Sequence, residues 1–205
     1  MSNVTTDSTA DERHPMPTRE NLFTVVASLQ PVVFGVTAEE MNAATPCPDF
    51  DVRAVANHML GTIEAFRRVG TGEPLDPQNP WGTSGANIRE QWRDDLSQKL
   101  KDYAAAWSRP EAWEGDAMDG AMPRQVIGDM GLVEVMLHGW DLAKGSGQDV
   151  EYDDAAVDLA IEILEVIGEQ GRAGGAFGPE VEVSGDASPF ARMLAKSGRD
   201  PEWTP

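Results

Sequence analysis

A chain of 205 residues suits one domain with modest extensions, and a core of that size needs no disulfide staples. Asp and Glu outnumber Lys and Arg 35 to 16, and the net charge of −19 excludes the clustered cations that nucleic-acid phosphates or an anionic membrane surface demand. The single cysteine, Cys47, rules out an intramolecular disulfide and fits a reducing compartment. Residues 1–20 lack an apolar export segment, and no apolar run approaches the roughly 18 residues of a spanning helix, so the expectation is a cytoplasmic protein.

In chain order, residues 1–17 read as a disordered leader closed by Pro15 and Pro17. From Thr18 to about Val36, Leu22, Val25, Val26, Leu29, Val32 and Val33 recur at helical spacing, with Pro31 placed to bend the helix. Pro46 and Pro48 then forbid helix until Asp51, an N-cap, with Phe50 and Val55 as a hydrophobic staple. The second helix runs to Val69 and stops at Gly70 and Gly72. After a Gly/Pro-rich loop, the spacing predicts helices over about 86–108, 124–144 and 153–170, with residues 109–125 irregular. A short helical stretch, 189–196, follows an extended or looped segment. Strand signal is nearly absent, which predicts an all-α bundle over 18–171 with an additional helix and a short irregular C-terminal extension, 172–205, packed on it.

The predicted fourth helix is apolar almost all round, so it belongs among its neighbours. Glu134 and His138 interrupt it at i and i+4, on one side of the helix. A carboxylate withdrawn from water costs several kcal/mol unless it is protonated, paired or metal-bound, and no Lys or Arg stands between Arg124 and Lys144 to pair with it. Imidazole plus carboxylate, with His58 on a facing helix, is a donor set that suits zinc and similar divalent ions. Three protein ligands leave a position for water or substrate. A plain hydrogen-bonded Glu–His pair satisfies the same spacing. For Cys47 the residue type favours a partly buried apolar role over a redox one, and Trp140, beside His138, is the tryptophan best placed to line a pocket.

The stretch TPCPDFDVRAVANHML, followed by VEVMLHGWDLAKGSGQD, resembles the mycothiol-dependent maleylpyruvate isomerase N-terminal domains, members of the DinB-like four-helix metal-binding group. The tail AFGPEVEVSGDASPFARMLAKSGRDPEW is similar to an uncharacterised metal-binding subgroup. The resemblance implies zinc, or another divalent metal such as nickel, held by His58, Glu134 and His138, with Asp141 hydrogen-bonded behind an imidazole. It also implies mycothiol as a thiol cosubstrate, a small electrophilic substrate and S-transferase or isomerase chemistry; a non-catalytic accessory or stress-response module is the alternative. The expected state is monomer or homodimer, with no nucleic-acid or membrane partner. The isomerase proper carries a longer C-terminal domain with a basic substrate-handling residue; here Arg172, Arg192 and Arg199 are the available cations, and the sequence assigns that role to none.

Overall fold

The computed structural model describes residues 19–82 and 88–205; the expected leader, 1–17, lies outside them. Helix α1 (Arg19–Gly35) continues through Pro31, and its stripe from Leu22 to Val33 is buried. Helix α2 (Val52–Thr71) starts where the punctuation places it: the Ala54 amide donates to the Asp51 carboxylate at 2.8 Å, satisfying one orphan N–H of the first turn. It ends on Gly72, whose left-handed backbone (φ 77°) suits glycine. Helix α3 (Trp92–Trp107) begins later than the apolar spacing suggests, because a turn closed by the Trp92 amide on the Arg89 carbonyl precedes it; the stretch 83–87, which includes the expected start at Ala86, lies outside the described residues.

The connection expected to be irregular holds a 3-10 turn, Pro110–Trp113, and a hairpin. Strands β1 (Asp116–Ala117) and β2 (Met122–Pro123) form a two-stranded antiparallel hairpin. Met118 and Asp119 turn it with positive φ, 54° and 58°. Helices α4 (Arg124–Gly145), α5 (Asp154–Ala173) and α6 (Pro189–Lys196) complete the described elements, so the architecture is all-α apart from that hairpin.

The core lies where α2 packs on α3 and α4 while α1 packs on the other side of the same two helices; α5 joins α4, and α6 packs on α5. Helix α4 is buried nearly all round, as its composition requires. Its glycines admit close neighbours: a Cβ added at Gly128 would lie 2.4 Å from the Trp113 ring, and one at Gly139 2.3 Å from Leu29. Trp107 and Trp113 are buried with their indole N–H groups donating to the Phe66 and Trp107 carbonyls at 2.8 and 2.7 Å. Trp140 is also buried in this core. Among the described residues, no helix is long and apolar enough to cross a membrane.

Candidate metal centre

Helices α2 and α4 bring three donor atoms to one point. His58, two turns into α2, presents Nε2 at 2.6 Å from Glu134 Oε1. His138, one turn beyond Glu134 on α4, presents Nε2 at 3.5 Å from the same oxygen. The imidazole centroids lie 4.7 Å apart, edge to face. The centre is at the edge of the core: the His58, Glu134 and His138 side chains keep 17%, 24% and 10% of their surface exposed.

Burial alone would push the Glu134 carboxyl up. His138 and His58, with Arg199 at longer range, outweigh that and hold it below the ordinary carboxylate value, so it stands ionised and acceptor-only. Ligands sharing one tetrahedral divalent ion, each bonded at roughly 2.0–2.1 Å, sit about 3.3 Å apart. The His138–Glu134 separation matches that spacing. The His58–Glu134 contact would open by about 0.7 Å on binding. Two imidazoles and a carboxylate are the donor chemistry of such an ion, and the residues fit it.

Behind the centre stands a second layer. His138 Nδ1 lies 2.8 Å from Asp141 Oδ2, placed to donate its N–H to that carboxylate, and the ring's other nitrogen, Nε2, faces Glu134. Asp141 is fully buried and takes two further bonds from Arg199, Nε to Oδ1 at 2.9 Å and Nη2 to Oδ2 at 2.7 Å. Burial raises the Asp141 carboxyl, but Arg199 and then His138 bring it below its ordinary value. Asp141 is therefore neither an exposed helix acid nor a cap of the last turn. Arg199 is the cation that sequence reasoning did not assign. It arrives from 58 residues beyond Asp141, and no local pattern marks it.

Two more residues border the centre. Phe50 packs at a tilt against both imidazoles, its centroid 5.1 Å from His58 and 6.1 Å from His138. Cys47 offers its sulfur within 4.8 Å of His138 and Asp141 donor atoms, which makes Cys47, His138 and Asp141 a second geometric ligand group among the described residues. That group is the poorer one, because both Asp141 oxygens are already engaged by Arg199 and His138. Burial, and then the Asp141 charge, raise the Cys47 thiol, against a smaller opposing pull from Arg199. Cys47 and Phe50 also line an open groove of about 390 Å³.

Residues 23–143, well over half of the chain and including all three donors, match the family model described as the mycothiol maleylpyruvate isomerase N-terminal domain. The chain belongs to that family. Similarity extends to two Mycobacterium tuberculosis proteins, one from each of two strains and both described as uncharacterised; each is 25% identical over 166 residues, covering 80% of this chain and 87% of the relative. No solved structure shows significant similarity to it. The mycothiol maleylpyruvate isomerase N-terminal match ends at residue 143, so His58, Glu134, His138 and Asp141 fall inside it and Arg199 outside.

Proposed function

We propose that the chain binds one zinc ion through His58, Glu134 and His138 and uses mycothiol as a co-reactant in S-transfer or isomerisation. The observation that carries this reading is the convergence of two Nε2 atoms on one ionised carboxylate oxygen at the rim of the bundle. The family description supports the choice of thiol. A zinc ion with three protein ligands supplies Lewis acidity that lowers the pKa of an incoming thiol. Glu134 contributes the negative donor, and the paired histidines supply neutral ones. Asp141 holds the His138 proton on Nδ1, away from the centre. Phe50 covers the imidazoles with apolar surface and limits water on that side.

In S-transfer the thiol sulfur bonds to the electrophilic carbon, the leaving group departs with its electron pair, and the thiol proton passes to solvent. In isomerisation the sulfur adds to a double bond, the former double bond rotates, and the sulfur is expelled unchanged. The test is zinc-loaded protein with mycothiol and a chromogenic aryl halide. Halide release that requires both thiol and protein, and that stops in His58→Ala, supports the reading. Zinc-replete protein without turnover across a broad panel of electrophiles contradicts the enzymatic part and favours a metal-binding module.

A further inference from the structure

We propose that Arg199, in the turn after α6, is a positioning residue of the metal centre: it sets the Asp141 carboxylate that in turn orients the His138 ring. The inference rests on the metal-binding reading above.

The geometry is a chain of three groups. The Arg199 guanidinium meets Asp141 as a fork, Nε on Oδ1 at 2.9 Å and Nη2 on Oδ2 at 2.7 Å. Two parallel bonds fix both the place and the rotation of the carboxylate, which a single donor would not do. Oδ2 then accepts His138 Nδ1–H at 2.8 Å, so the ring cannot flip without breaking that bond, and its other nitrogen faces Glu134. Because Arg199 supplies the counter-charge that a fully buried carboxylate requires, the imidazole needs only to donate one hydrogen bond.

The tail is built to deliver this side chain. Helix α6 is anchored by buried Met193 and Leu194 and ends in a Schellman turn. The Gly198 amide donates to the Ala195 carbonyl and the Arg199 amide to the Leu194 carbonyl, each at 3.0 Å. Gly198 sits at φ 83°, against Gly178, whose carbonyl carbon would lie 2.6 Å from any added Cβ. Glycine is required there twice over, for its dihedral and for the approach, and Arg199 is thereby turned inward. A segment beyond the family match thus completes the centre.

The test measures zinc affinity of the full chain by competition with a chromophoric chelator, with thermal unfolding in parallel. Arg199→Gln and Asp141→Asn should each weaken zinc roughly 10–100-fold at unchanged stoichiometry, the usual cost of losing a partner behind a ligand. If Arg199 acts through Asp141, the double variant binds zinc no more weakly than Asp141→Asn alone. Arg172→Gln cuts a different tie to the tail, the Arg172 bond to the Lys196 carbonyl at 3.1 Å; it should lower the melting temperature and leave zinc affinity unchanged. Wild-type affinity in Arg199→Gln, losses that multiply in the double variant, or an equal zinc defect in Arg172→Gln would each overturn the proposal. If Arg199→Gln does not fold, Arg199→Lys takes its place, keeping the charge and losing the fork: a several-fold weaker affinity supports the role, and wild-type affinity overturns it. A wild-type chain that takes up no zinc defeats the metal reading and this inference with it, and that result is visible before any variant is made.

Discussion

Asp129→Asn should remove one pH-dependent weakness of the fold, the cost of ionising a buried carboxyl. Asp129 lies on α4 with 2% of its surface exposed, and burial raises its carboxyl from 3.8 to about 7. A folded-state value above the unfolded one means that the native chain holds a proton which the unfolded chain releases across that interval. Unfolding free energy therefore falls as pH rises from 3.8 to about 7, and levels off above. The shift of about three pH units, at about 1.36 kcal/mol each, amounts to about 4 kcal/mol. Asparagine does not titrate, so the stability of the variant relative to wild type should climb by up to that amount between about pH 4 and about pH 8. For a chain of this length, about 4 kcal/mol corresponds to about 8–16 °C in melting temperature. Urea titrations of both proteins across that range measure the difference directly, since the other carboxylates cancel. Parallel stability profiles for the two proteins would refute the reasoning.

Gly139→Ala places a methyl group 2.3 Å from Leu29 and 2.6 Å from the Tyr152 hydroxyl, beside His138; overpacking there should cost about 1–3 kcal/mol, read from chemical denaturation. Cys47 should resist alkylation near neutral pH, reaching half-maximal rate only above its ordinary value of 9.0, since burial and Asp141 raise the thiol; rapid labelling at neutral pH would contradict that. Asp51→Ala removes the side-chain acceptor of the Ala54 amide at the start of the helix that bears His58 and should lower stability by about 1 kcal/mol.

Local signals carried most of the fold. The Asp51 cap, the Gly72 stop and the all-round apolar character of α4 depend on residues near in sequence, and each stands where those residues place it. The i, i+4 spacing of Glu134 and His138 likewise fixed their common face, and the juxtaposition with His58 follows once α2 packs on α4. What escaped the sequence is tertiary. The Phe50 ring lies against the imidazoles, a contact that local spacing does not encode because it joins the loop before α2 to a residue of α4. The hairpin at 116–123 is hard to read because its strands are only two residues long, so no alternating pattern flanks the Asp119–Gly120 turn signal. Arg199 could not be paired with Asp141 across a separation of 58 positions, since neither residue's immediate neighbours encode the other.

A metal held between α2 and α4 would be lost with either imidazole. Elemental analysis of purified wild type beside His58→Ala and His138→Ala tests it most directly. Wild type should carry about one equivalent of a divalent metal, zinc, and either variant little or none, with all three folded. Equal metal content in the three proteins would contradict it.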